Sequence, residues 1–169
     1  FDLANQRLRA VGDAGHRIGE DGLRIMRAYR FLDIGGGIYC KPDHTLAKAL
    51  VKQQHMIENV AMERVWDEFR KILSGHSAGL ILRRMAQDGL LNRILPGQWD
   101  PDEHSLVSQS DSNLDGIAIE ARLALLLEAT QFDSIEPGLR LLKLSNDQIN
   151  STLDFRIRLD TIPLSEPEG

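Results

Sequence analysis

Between Glu20 and Phe31 the chain sets Arg24, Arg27 and Arg30 at three-residue intervals among Leu23, Ile25, Met26 and Tyr29. At 100° per residue the three arginines occupy one arc of about 120°, while Ile25, Met26, Ala28, Tyr29 and Leu32 fill the opposite side. Such a segment can hardly settle as anything but a helix with one buried face and one guanidinium face. It reads as a single helix from about His16 to Asp33, stopped by Gly35-Gly36-Gly37. Asp21, one turn before Arg24, is placed to orient it. Glu20 stands beside Asp21 at the head of the arc. An arginine is a planar, permanently charged fork suited to phosphates and to base edges, so the arc suits an anionic ligand with a planar part. The competing reading is a solvated face with local ion pairs to carboxylates such as Asp33, Glu63, Asp67 or Glu68.

The same helical period governs the rest of the chain. Pro42-Asp43-His44-Thr45 restarts a helix through about Ile57, with Asp43 or Thr45 as cap. Further helices are expected at Met62 to Leu73 and Ser77 to Asp88. A short turn over Leu90–Leu95 and a stop at Pro96-Gly97 follow. Residues 98–113 read as a polar surface loop. Leu114 to Ala129 reads as a helix buried on more than one side, followed by helices near Ile135–Leu144 and Asn146–Thr161 and a frayed tail with Pro163 and Pro167. Strand-like Val-Thr-Tyr runs are missing, and the expected class is all-α. The sequence holds no apolar run of membrane-spanning length. One cysteine, Cys40, rules out an internal disulfide and reads as a structural thiol in a reducing compartment.

Charge divides unevenly. Residues 1–75 carry 12 Lys and Arg against 10 Asp and Glu, and residues 76–169 carry 8 against 15. A nucleic-acid surface is therefore expected on the first half.

The motifs around the arc resemble a known family. Asp2-Leu3-Ala4-Asn5-Gln6-Arg7-Leu8-Arg9-Ala10-Val11-Gly12-Asp13, then Arg17, then Glu20-Asp21-Gly22-Leu23-Arg24-Ile25-Met26-Arg27-Ala28-Tyr29-Arg30-Phe31, resembles the head-to-neck junction of class II tRNA nucleotidyltransferases (CCA-adding enzymes) and bacterial poly(A) polymerases. That family's pattern is close to D-L-x-x-x-x-L/I-R-x-V-G-D followed by E-D-x-x-R-x-x-R-A-x-R-F. Glu63-Arg64-Val65-Trp66-Asp67-Glu68-Phe69-Arg70-Lys71-Ile72-Leu73 resembles a second neck element. Gly89-Leu90-Leu91 with Ile94-Leu95-Pro96 resembles the element that closes it. Gly22 departs from the commoner alanine or proline.

The resemblance implies an all-α neck and body. Residues 1–13 would be the end of a head or linker, 14–75 the neck that recognises the base, 76–162 the helical body, and 163–169 the tail. It implies that Asp21 and Arg24 recognise the base of ATP or CTP, with Arg27 and Arg30 around the nucleotide and its phosphates. Glu20, Arg9 and Arg17 would be supporting residues. Glu63 and Arg64 would pin the neck helices by an ion pair, and Trp66 would be core. The partners implied are a tRNA or RNA 3′ end, in the cytoplasm and away from membranes.

Family chemistry also needs Mg²⁺, held by an Asp-x-Asp pair in a catalytic head that is expected upstream. Asp100-Pro101-Asp102 has the letters but a loop context, as do Asp111-Ser112-Asn113 and Asp115. His16, His44, His55, His76 and His104 lack metal-ligand spacing. No catalytic or metal residue is therefore expected in this chain, which alone should be inactive. The alternatives are a poly(A) polymerase or a relative adding only C or only A, and, in another class, a stand-alone helical RNA-binding or protein-interaction module.

Overall fold

The computed structural model describes residues 5–97 and 116–161. The loop 98–113, with its Asp-Pro-Asp letters, Asp115 and the tail 163–169 lie outside them. The described chain is helical: α1 Ala14–Glu20, α2 Leu23–Arg30, α3 His44–Lys52, a 3₁₀ turn Gln54–Asn59, α4 Met62–Leu73, α5 Ala78–Gln87, α6 Leu91–Ile94, α7 Ile119–Leu126, α8 Phe132–Leu141 and α9 Asn146–Thr161. Two short strands, β1 (Arg7–Leu8) and β2 (Lys41–Pro42), pair in parallel with Arg7 opposite Lys41. This pairing ties the expected linker to the start of α3.

The expected single helix from His16 to Asp33 is two helices. The chain leaves helical geometry at Asp21, where φ is −153° and ψ 108°, and resumes at Gly22. The cause is tertiary. A Cβ on Gly22 would stand 2.1 Å from the Met56 carbonyl oxygen and 2.6 Å from its carbon, so the joint seats directly on the backbone of the 3₁₀ turn. Asp21 then serves the second helix, its Oδ1 accepting from the Leu23 N–H at 3.0 Å.

Other starts and stops follow local chemistry. Asp13 and Asp43 cap α1 and α3 by accepting from the amides of His16 and Leu46. After α2, Ile34 to Ile38 form a tight turn, with Gly35, Gly36 and Gly37 all at positive φ. Asp33 locks that turn to the α4–α5 connection: Oδ1 accepts from Gly35 N at 2.9 Å and Oδ2 from Ser77 N at 3.0 Å.

Helix α2 packs on α4, α1 on α3, and α9 on α7. The buried face of α2 is Leu23, Ile25, Met26 and Tyr29; Trp66 is buried, as expected of a core residue. Cys40 is fully buried, and burial pushes its thiol above the ordinary value. One hydrophobic cluster runs from Leu8 through α2, α4 and α5 to Leu139 and Ile149, crossing residue 75 without a gap. Arg122, buried in the apolar α7, reaches across to the end of α4: Nη1 donates to Leu73 O at 2.5 Å and Nε to Ile117 O at 3.1 Å. Among the described residues no helix is long and apolar enough to cross a membrane.

Candidate functional site

The apolar side of α2 is fixed from below by a polar anchor. Tyr29 Oη donates to Asp88 Oδ2 at 2.7 Å, and Arg84 Nε lies 2.6 Å from the same oxygen. Burial, and after it the Asp88 charge, push the Tyr29 phenol far above its ordinary value, so it stays a donor. Gln54, from the 3₁₀ turn, donates to the Asp88 carbonyl. Helix α2 therefore has a set rotation, and its outer residues a set direction.

On that outer side lies an open groove of about 360 Å³, at the lower end of the range of ligand pockets. Arg9, Arg17, Arg24 and Arg27 line it, with Leu8, Ala14, Ile18, Ala28, Leu46 and Phe31 among its apolar lining. Asp21 and Arg30 are not part of its lining. The expected supporting residues Arg9 and Arg17 thus share one groove with Arg24 and Arg27.

Three of these four arginines are engaged. Arg9 Nε is 3.2 Å from Asp43 Oδ2, and Arg17 Nη1 donates to the Val11 carbonyl at 3.1 Å. Arg24 Nη1 lies 2.8 Å from Glu20 Oε2 and donates to the Arg17 carbonyl at 3.0 Å. Glu20, then, orients Arg24. The expectation that Asp21 does so is corrected: the kink turns Asp21 aside, and its Oδ2 faces Arg64 Nη2 at 3.9 Å. Arg64 thus ties α4 to the joint between α1 and α2, while Glu63 is exposed. Half of the Asp21 carboxylate serves the backbone, and the side chain is 38 % exposed, open to an incoming donor.

Arg27 and Arg30 differ. Arg30 Nε stands 3.2 Å from Glu68 Oε2, a carboxylate buried on α4 that also takes Lys71 Nζ at 2.9 Å. Arg27 is exposed and makes no ion pair among the described residues; its guanidinium sits 6.0 Å from the Phe31 ring centre. Phe31, 44 % exposed, was not singled out from sequence. Its signal was there to read, an aromatic four residues after Arg27 and one after Arg30. Among the described residues no three His, Cys, Asp or Glu side chains gather to hold a metal ion.

An arginine-rimmed groove with an apolar floor can take a flat, partly apolar group bearing negative charge. Residues 41–100 match the family described as "Probable RNA and SrmB- binding site of polymerase A". The mouse (Mus musculus) protein described as "CCA tRNA nucleotidyltransferase 1, mitochondrial" is 32% identical over 154 residues, covering 88% of this chain and 34% of that protein. The CCA-adding enzyme of Geobacillus stearothermophilus is 32% identical over 159 residues, covering 94% and 38%. The crystal structure of the Bacillus stearothermophilus CCA-adding enzyme in complex with CTP superposes with a TM-score of 0.76 at 27% identity, covering 96% of this chain and 40% of that one. The chain spans a little over a third of the length of these curated relatives.

Proposed function

Because this chain belongs to the CCA-adding enzyme and poly(A) polymerase family, as its helical neck and body region, we propose that it selects the incoming nucleotide and holds the RNA 3′ end for a CCA-adding enzyme acting in tRNA 3′-end processing. The observation that carries this reading is the groove itself, four arginines over an apolar floor with Asp21 at the head of the helix that supplies two of them.

In this reading Arg24, in the groove, and the partly exposed Asp21, beside it at the helix joint, together read the base. A carboxylate accepts from an exocyclic amine and a guanidinium donates to a ring nitrogen or carbonyl, which suits adenine and cytosine and disfavours uracil and guanine. Arg27 meets the phosphates. Arg30 supports the arc from behind, through its ion pair with Glu68. Mg²⁺ and the carboxylates that hold it belong to a catalytic head outside this chain. The match of residues 41–100 to a polymerase A region supports a second reading, a poly(A) polymerase; addition of A alone by the complete enzyme would select it.

In the complete enzyme, Asp21→Ala lowers the preference for ATP and CTP over UTP and GTP by roughly 5- to 150-fold, or about 1–3 kcal/mol. Asp21→Asn is the sharper variant, because it keeps an acceptor for the Leu23 amide and the fold with it while replacing half of the reading edge by a donor. Single-nucleotide incorporation measured with each triphosphate decides; unchanged preference in both variants overturns the base-reading role. The chain alone, incubated with a tRNA lacking its 3′ end, Mg²⁺, CTP and ATP, leaves RNA length unchanged. Protein-dependent extension would overturn the placement of the chemistry in a separate head.

A further inference from the structure

Two guanidiniums lie over the ring of Phe31, that of Arg30 4.7 Å and that of Arg27 6.0 Å from its centre. We infer that Phe31 is a positioning residue that holds Arg27 at the groove, and that the ordering starts at buried Glu68 and passes through Arg30 and the Phe31 ring to Arg27. The inference rests on the reading that Arg27 meets the nucleotide's phosphates.

Glu68 is buried and held on α4, so Arg30, ion-paired to it at 3.2 Å, is anchored. The Arg30 guanidinium covers the Phe31 ring, and the backbone closes the same turn, because the Phe31 N–H donates to the Arg27 carbonyl at 3.0 Å. Phe31 is thus fixed at both backbone and ring, and the Arg27 guanidinium lies over that ring, 6.0 Å from its centre. A long exposed side chain without an ion pair otherwise samples many rotamers, and ordering it on binding costs affinity. An aromatic face nearby favours the extended, ring-covering rotamers through the attraction of a cation to the ring quadrupole. This also accounts for a 44 % exposed phenylalanine at the rim of the groove, where a core role is excluded.

The test is a double-mutant cycle in the complete enzyme, read as CTP affinity by titration calorimetry, with cytidine as the phosphate-free probe and thermal melting as the folding control. Arg27→Ala weakens CTP binding about tenfold or more. Phe31→Leu, which keeps apolar bulk but removes the ring, weakens it about two- to five-fold. Phe31→Tyr restores it, and cytidine affinity stays unchanged throughout. In the Arg27→Ala background Phe31→Leu has no further effect. Additive losses, or CTP affinity unmoved by Phe31→Leu, overturn the positioning role. If Arg27→Ala itself leaves CTP affinity unchanged, the phosphate reading of Arg27 falls first, and the inference falls with it.

Discussion

Gly22→Ala is expected to destabilise the protein by about 3 kcal/mol or more, at the upper end of what overpacking costs. The sign separates two explanations. By helix propensity alone, alanine at the head of α2 would stabilise by up to about 1 kcal/mol, since Gly22 has an ordinary φ of −60°. Sterically the new methyl falls 2.1 Å from the Met56 carbonyl oxygen and 3.1 Å from a Val60 methyl. Neither backbone carbonyl nor helix joint can yield by more than an ångström without unseating the 3₁₀ turn, so the steric effect wins. For a chain of this size the loss corresponds to a fall in Tm of roughly 6–12 °C. Urea and thermal unfolding measure it; a variant as stable as the parent would refute the close approach. The same substitution should blunt nucleotide selection, because Asp21 precedes the displaced residue.

Arg122→Met should cost about 2–4 kcal/mol. Methionine keeps the stem volume and spares the burial of a charge, so the loss reports the polar contacts of the guanidinium. Leu73 O is among the last carbonyls of α4, which have no partner within the helix, and a guanidinium there both satisfies the carbonyl and complements the negative end of the helix dipole. Each buried carbonyl left without its donor costs about 1–3 kcal/mol. Chemical denaturation of Arg122→Met and Arg122→Lys checks this: lysine, keeping charge without the fork, should recover only part of the loss.

The helices whose limits depend on local signals were legible in the sequence. Met62–Leu73 and Asn146–Thr161 stand where their apolar period placed them, and of the two expected caps, Asp43 and Thr45, it is Asp43 that caps α3. The break at Asp21 was not legible. Apolar spacing continues across it, and Glu20 and Arg24 form the kind of i,i+4 pair that signals an unbroken helix. What breaks the helix is the Met56 carbonyl, supplied by a segment distant in sequence. Two-residue strands leave no periodicity to detect, so β1 and β2 were also missed. At the candidate site the sequence offered the arginines and their common arc, but not their different engagements. Arg24 with Glu20 was within reach of helix spacing; Arg30 with Glu68 and Arg9 with Asp43 depend on how separate elements pack. The role of Arg122 in its leucine-rich run was not legible, because nothing local announces an acceptor at Leu73.

The uninterrupted core gives the molecule a mechanical character. With apolar side chains interlocked from Leu8 to Ile149, and Arg122 riveting α7 to the end of α4, the two halves of the described chain behave as one stiff arm. A continuously packed core of this kind leaves no apolar break between groove and α9 at which a hinge would form. Helix α9, joined to that core through Ile149, is mechanically part of the body that carries the groove.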